Sequence, residues 1–203
     1  MPIMSDEKRN QVKEHIELGA IRCVVQMGFH GTTTREIARE AGVSTGGLYG
    51  HYQGKEELFA SVIERYKRLF SEPDNPLLAY FETNNFPDDI PALAKAIEAV
   101  INQHRDFWLL WYVDVLEFQG RHFAGSFLDA GPSHPALDAR FADLDGGGRL
   151  RMPASLAFYV VYMHLFNHLI VQILFSGRES ADLDSSLVLS TIEDIALRGI
   201  LAE

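Results

Sequence analysis

Apolar residues recur at three- and four-residue intervals along most of the chain, which is the spacing of amphipathic helices. The first such stretch stops at Gly28, and its apolar face consists of Val12, Ile16, Ala20, Cys23, Val24 and Met27. Later stretches predict helices at 92–101, 107–118, 136–143, 154–176 and 183–201. No stretch shows the two-residue alternation of a half-buried strand. The pattern therefore predicts an all-α protein.

Between residues 33 and 52 the pattern predicts two short helices joined by a tight turn. Thr33 and Glu36 have the spacing of a capping box. Gly42 suits a helix end because it has no Cβ, and Ser44 suits the N-cap of the next helix. Two short helices around a glycine turn have the form of a helix-turn-helix, whose second helix enters the major groove of DNA.

The same region carries a family resemblance: residues 12–66 resemble the N-terminal domain of TetR-type transcriptional repressors. The matching positions are Gly28-Phe29, Thr32-Thr33, Glu36-Ile37-Ala38, Ala41-Gly42-Val43-Ser44, Gly46, Leu48-Tyr49, His51-Tyr52 and Lys55-Glu56-Glu57-Leu58. The rest of the chain matches the family only in length, helical character and layout. The resemblance implies a bacterial repressor that binds a palindromic operator as a homodimer, formed by the last two long helices of each subunit. It also implies release of the operator when a small molecule binds.

Prolines and Asp/Asn residues in 71–91 predict a loop-rich connection, and so a boundary between two domains. Prolines and glycines in 129–153 predict a second loop region around at most one short helix, with Gly146-Gly147-Gly148 as a loose connection. We expect a helix-turn-helix DNA-binding domain at 1–70 and a helical ligand-binding and dimerisation domain at 71–203. Residues 1–70 carry ten Lys/Arg and nine Asp/Glu, whereas the remainder carries eight and nineteen, so the net charge of -10 divides into +1 and -11. We expect that asymmetry to orient the N-terminal domain toward DNA and to repel the acidic remainder from it.

Candidate DNA-binding residues follow from the expected docking of the second helix, about 45–50. Thr45 and Tyr49 are the candidates for base contacts, and Gly46 and Gly47 permit a close backbone approach. Tyr49 could alternatively pack against its own domain. Phosphate contacts are assigned to Thr33, His51 and Lys55, and Arg35 could reach a phosphate or a base.

This short helix departs from the family pattern in ways that reduce its direct contacts. Thr45 stands where the family often has lysine, and Gly47 and Gly50 replace larger residues. Fewer contacts leave more room for recognition of DNA shape.

Candidate ligand-binding residues lie on two apolar segments, 107–118 and 154–175, where isolated polar groups interrupt bulky side chains. If the segments face each other, they enclose a cavity for a hydrophobic or aromatic molecule, lined by Trp108, Trp111, Tyr112, Tyr159, His164 and His168. Asp114 and Glu117 would suit a cationic ligand, although acids on a helix surface are commonly just exposed.

The sequence gives weaker support to other classes of function. His164 and His168 have metal-ligand spacing for an all-helical hydrolase, but no HExxH glutamate accompanies them, so we expect no metal, no cofactor and no catalysis. A helix-turn-helix used only for protein interaction is a further alternative. The uncharged segment 154–175 is long enough for a membrane span, but its polar residues favour a buried helix. One cysteine and no apolar leader suit the cytoplasm.

Overall fold

The computed structural model describes residues 6–69, 72–123, 134–175 and 185–202. Within these ranges the regular elements are α-helices, accompanied by one isolated antiparallel bridge between Leu150 and Leu201, which confirms the all-α prediction. The helices are α1 (Asp6–Gly31), α2 (Thr34–Glu40), α3 (Thr45–Tyr49), α4 (Lys55–Leu69), α5 (Pro76–Thr83), α6 (Ile90–Gln103), α7 (Arg105–Phe118), α8 (Pro135–Gly147), α9 (Ala154–Phe175) and α10 (Ser185–Ile200).

The chain divides into two compact units. The first comprises Met1–Phe70 together with Asp106–Ala124, and the second comprises Ser71–Arg105 together with Gly125–Glu203. The domain boundary expected after residue 70 falls at the first of these divisions. Residues 106–118, which we expected in the second domain, belong to the first unit because aromatic and carboxylate side chains of α7 pack on α1 and α4.

The first unit is built around α1, which packs against α2 and α4, while α2 packs against α3. Its fully buried apolar side chains include Ile16, Ile37, Leu48, Leu58 and Ile63. The expected end of α1 at Gly28 is a break rather than a stop: Gly28 has φ 74° and ψ 168°, and one more helical turn follows it. A left-handed φ of this kind costs glycine little because glycine has no Cβ.

The second unit centres on α9, which packs against α6, α8 and α10. By length and composition, α9 could cross a membrane: its most apolar 18 residues have a mean hydropathy of 1.5. However, 44% of that stretch is buried inside the protein. By length and composition alone this is weak support for a membrane span, since core helices of soluble proteins pass the same test.

Two predictions about loops were wrong. The segment 71–91 contains α5, because Asn75 caps the Leu77 N–H and Pro76 occupies the first helical turn, where a missing N–H costs nothing. The glycines at 146–148 do not form a loose connection: the first two end α8, and Gly148 closes it with φ 64°. Residues 129–133 of the expected loop, and 176, 183 and 184 at the expected helix ends, lie outside the described residues.

Candidate nucleic-acid interface

Local hydrogen bonds define both short helices of the first unit. At the start of α2, the Glu36 N–H donates to Thr33 Oγ1 (3.2 Å), and the Thr33 N–H donates back to Glu36 Oε2 (2.8 Å). The predicted capping box is therefore present. Hydrogen bonds from the Thr33 hydroxyl and backbone lower the pKa of Glu36. At the start of α3, the Gly47 N–H donates to Ser44 Oγ (3.0 Å), as the N-cap prediction requires.

The turn between α2 and α3 brings their apolar faces together. Gly42 has φ 69°, the left-handed conformation expected after a helix end. Ile37, Ala38 and Leu48 are all buried at the junction of the two helices. Because the apolar side of α3 is occupied in this way, its opposite side faces solvent.

The solvent face of α3 carries the side chains predicted to contact bases. Tyr49 is 53% exposed, and its hydroxyl lies 3.3 Å from Thr34 Oγ1 on α2. Thr45 is half-buried and Gly46 is exposed, with only Ser44 Oγ near the position a Cβ would take. A surface of this kind leaves the backbone of α3 open to close approach.

Two further cations of this unit, on α1, were not predicted as DNA-binding residues from the sequence. Arg9 and Lys13 are exposed and lie one turn apart. Lys13 Nζ lies 5.9 Å from the centroid of the Tyr52 ring, just after α3. Burial lowers the pKa of the half-buried His51, and the charges of Arg9 and Lys13 lower it further. Their four-residue spacing on a helix was the available signal. Arg35, the predicted phosphate or base contact, is also exposed.

Lys55 has partners that its predicted phosphate contact did not include. Its ammonium donates to the backbone carbonyls of Phe29 and Thr32, both at 2.8 Å, and lies 4.4 Å from the centroid of the Phe29 ring. Lys55 therefore closes the end of α1. The phosphate contact stays a prediction, as does that of Thr33, whose hydroxyl is engaged in the capping box.

A buried carboxylate ties the residues just after α3 to α1 and α4. Glu17 is only 5% exposed, and its Oε1 accepts hydrogen bonds from the Tyr52 hydroxyl (2.8 Å) and the Ser61 hydroxyl (2.9 Å). Its Oε2 accepts from Arg65 Nη1 (3.2 Å). Sequence reasoning missed this group, although a glutamate between Ile16 and Ala20 on an apolar helix face was a visible anomaly.

The aromatic residues of α7 that we assigned to a ligand cavity lie in the first unit. Trp108 is fully buried and packs edge-on against Phe107, with ring centroids 4.9 Å apart. Trp111 and Tyr112 are half-buried and pack on each other, and burial raises the pKa of Tyr112. Trp108 is therefore part of the core of this unit.

The remaining predicted ligand residues lie on α9 in the second unit. Tyr159 and His164 are exposed, whereas His168 is half-buried and burial lowers its pKa. His164 borders a mostly apolar cavity of about 380 Å³ between α9 and α10, whose lining also includes Val160 and Ile195. Within the described residues, no group of three or more His, Cys, Asp or Glu side chains is placed to hold a metal ion.

Two capped short helices, a glycine turn and an exposed second helix define a helix-turn-helix protein, the class that presents such a helix to DNA. Residues 18–62 match the sequence profile of the bacterial regulatory proteins of the tetR family. The chain is 44% identical over 57 residues to the uncharacterized HTH-type transcriptional regulator YerO of Bacillus subtilis, a match covering 28% of this chain and 20% of that protein.

Two further comparisons agree. The chain is 32% identical over 62 residues to the HTH-type transcriptional repressor AcnR of Corynebacterium diphtheriae, covering 30% of this chain and 33% of that protein. The chain thus matches a third or less of each of these relatives. A TetR family regulator from Marinobacter aquaeolei VT8 shares the fold, with a TM-score of 0.59 and 17% identity over 97% of this chain and 99% of that one. Residues 18–62 are therefore similar to the DNA-binding part of tetR-family regulators, and the whole chain shares the fold of a solved member of that family.

Proposed function

We propose that this protein is a cytoplasmic transcriptional repressor that binds a palindromic DNA operator as a homodimer. The observation that carries the proposal is the exposed face of α3, with Thr45, Gly46 and Tyr49 presented by two capped helices. Arg9, Lys13 and Arg35 add exposed positive charge in the same unit, which suits phosphate contacts. The name of the relative AcnR supports repression rather than activation.

Dimerisation is supported by an apolar stripe along the outside of α9. The stripe recurs at three- and four-residue intervals and consists of Leu156, Val160, His164, Asn167, Val171 and Phe175. Its two polar members contact the backbone of their own helix: His164 Nδ1 lies 2.7 Å from the Val160 carbonyl, and Asn167 Nδ2 donates to the Met163 carbonyl (2.8 Å). With those groups satisfied by their own helix, the stripe suits an interface with a second copy.

A small-molecule ligand is the less direct part of the proposal. The cavity between α9 and α10 has an apolar lining with His164 as its polar group, which suits a hydrophobic or aromatic molecule. We propose that such a ligand shifts the population of the dimer away from the form that matches two successive major grooves. The role proposed for the protein is regulatory rather than catalytic, in line with the relatives named above.

Selection from a library of randomised DNA duplexes tests the DNA-binding proposal. The wild-type protein should enrich a palindrome whose half-sites are about 10 base pairs apart, one helical turn. Tyr49→Ala should lose about tenfold in affinity for the enriched duplex and little for a scrambled one, since a base contact contributes about 1–3 kcal/mol of discrimination. If the helix-turn-helix serves only protein interaction, no duplex should be enriched, and that result would refute the DNA-binding proposal.

The predicted aromatic cavity is tested by tryptophan fluorescence. A ligand bound near Trp111 should quench emission over the concentration range in which it weakens binding to the enriched duplex. Trp111→Ala should shift both curves together. If the response to ligand survives Trp111→Ala unchanged, the ligand binds elsewhere, and the cavity beside His164 becomes the site to test.

A further inference from the structure

We propose that Glu117 is a positioning residue for DNA binding, because its carboxylate fixes the backbone at Phe29 and His30, directly ahead of the helix-turn-helix. The inference rests on the proposed DNA-binding function and gives α7 a part in it. We call the carboxylate of Glu117 and the two backbone amides it holds the Glu117 clasp.

The clasp uses both oxygens of one carboxylate. The Phe29 N–H donates to Glu117 Oε1 (2.9 Å), and the His30 N–H donates to Glu117 Oε2 (2.7 Å). The His30 ring also contacts Oε2 through Nδ1. Hydrogen bonds to an ionised acceptor are stronger than neutral ones, and a pair of them fixes direction as well as distance. The Glu117 side chain is only 22% exposed, so water competes weakly for it.

The break in α1 explains why those amides face a carboxylate. Gly28 leaves the helical conformation with φ 74° and ψ 168°, so a new turn starts at Phe29 and its first N–H groups need acceptors from outside the helix. Gly28 also makes room for the acceptor, because a Cβ there would lie 2.8 Å from Glu117 Oε1. The absence of a side chain at Gly28 therefore leaves the space that the Glu117 carboxylate occupies.

The same segment is held from its other side by α4. Lys55 binds the carbonyls of Phe29 and Thr32, and the Thr32 hydroxyl donates to the Gly28 carbonyl (2.8 Å). Thr33, the next residue, is the N-cap of α2. The chain that enters α2 is thus fixed through its amides by α7 and through its carbonyls by α4, so loss of either anchor loosens the start of the helix-turn-helix.

The end of α7 that carries Glu117 is held in place by ring packing and by hydrogen bonds. The Phe118 ring lies 4.5 Å from that of Phe29 and 5.4 Å from that of Phe59. The fully buried Asp114 accepts hydrogen bonds from the His122 N–H (3.2 Å) and the Phe123 N–H (3.3 Å), and its Oδ1 lies 2.6 Å from His122 Nδ1. A rigidly mounted carboxylate can impose its position on the Phe29–His30 backbone.

Glu117→Gln is the primary test because it keeps the shape of the side chain and removes the charge. Affinity is measured by fluorescence anisotropy on the duplex that the wild-type protein enriches, and hydrogen exchange is followed at the amides of Phe29 and His30. We expect faster exchange at both amides and about tenfold weaker DNA binding, the loss that corresponds to one charge-assisted hydrogen bond.

Whether DNA affinity falls or rises when the charge of Glu117 is removed distinguishes a positioning role from a purely electrostatic one. Removing a negative charge from a DNA-binding unit by itself favours DNA binding. Glu64→Gln is the matched control: Glu64 lies on α4 in the same unit, and its side chain is 58% exposed. That variant should bind DNA as tightly as the wild type or slightly more tightly, with unchanged exchange at Phe29 and His30.

Gly28→Ala provides a second test, because its Cβ displaces the carboxylate and its φ of 74° also strains the backbone. Its loss of DNA affinity should be at least that of Glu117→Gln, and the double variant should lose less than the sum of the two, because both changes remove the same contact. The proposal is overturned if Glu117→Gln binds DNA as tightly as Glu64→Gln does. It is also overturned if hydrogen exchange at the amides of Phe29 and His30 is unaltered in Glu117→Gln. If the wild-type protein enriches no duplex, the proposed DNA-binding function and the positioning role of Glu117 are both wrong. Slow hydrogen exchange at the amides of Phe29 and His30 would then show that the Glu117 clasp exists without that role.

Discussion

Glu17 is a carboxylate held inside the first unit by hydrogen bonds from Tyr52, Ser61 and Arg65. Desolvating a carboxylate is costly unless its hydrogen bonds compensate, and removing it takes away the acceptor of the Tyr52 and Ser61 hydroxyls and one of the two acceptors of Arg65. The buried Tyr52 hydroxyl connects the residues after α3 to α1. A tyrosine hydroxyl is protonated at neutral pH, and burial raises the pKa of Tyr52 further above its ordinary value, so this hydroxyl is a donor to Glu17.

Glu17→Leu should therefore lower the free energy of unfolding by about 2–4 kcal/mol, measured by urea denaturation. Glu14→Ala is the matched control, because Glu14 pairs with the same Arg65 but is 51% exposed, and it should cost less than about 1 kcal/mol. Equal losses in the two variants would show that the buried network contributes no more than a surface ion pair.

Lys55 illustrates a residue with two separable roles. Lys55→Ala removes the two hydrogen bonds from the ammonium to the carbonyls of Phe29 and Thr32 and should lower the unfolding free energy by about 1–3 kcal/mol. If Lys55 also holds a phosphate, the salt dependence of DNA binding should fall by about one unit. Lys67→Ala, which removes only an ion pair within α4, is the control for stability. Unchanged stability in Lys55→Ala would contradict the structural role.

Residue-scale prediction from sequence succeeded where the partners are neighbours in the chain. The capping box of Thr33 with Glu36 and the cap at Ser44 each join residues three positions apart, so spacing alone reveals them. Lys55 and Glu117 find their partners 26 and 88 positions away, and no local pattern encodes such contacts. Glu17 was detectable only as an acid on an apolar face.

At the scale of elements, the contact of α7 with α1 has a pH signature. Burial raises the pKa of Glu117, but hydrogen bonds from His30 and Phe29 outweigh it and leave the pKa below the ordinary 4.5. A carboxylate with a lowered folded pKa stabilises the protein above its unfolded pKa, and this stability is lost as the pH falls through the folded pKa.

The unfolding free energies of wild type and Glu117→Gln should consequently differ by a constant amount near neutrality and converge at acid pH. Urea titrations of both proteins across a pH series from neutral to acid would measure this convergence. A difference that does not change with pH would mean that the charge of Glu117 contributes nothing to the contact.

Helix periodicity predicted the long elements but misjudged the segments rich in proline and glycine. Pro76 looked like an interruption, yet at the first turn of α5 it is compatible with the helix. Gly148 with φ 64° ends α8, where a loose loop was expected. The assignment of α7 to the first unit was inaccessible to periodicity, because an apolar helix face does not specify which core it joins.

At the scale of the whole molecule, the apolar stripe of α9 predicts self-association. Val171 is 51% exposed on that stripe, and Val171→Arg should produce a monomer at micromolar concentration in sedimentation, because an unpaired charge in an interface is strongly unfavourable. Leu116→Arg is the control, since Leu116 is 81% exposed on α7 and should leave the dimer intact. A monomeric wild type, or an intact Val171→Arg dimer, would exclude this interface.

A salt series of anisotropy titrations tests most directly whether the first unit recognises DNA sequence through α3, as proposed. The wild-type protein should bind its enriched palindrome at least about a thousandfold more tightly than a scrambled duplex of equal length. Affinity for both duplexes should fall linearly with the logarithm of salt concentration. Equal affinity for the two duplexes, or binding that ignores salt, would contradict that proposal.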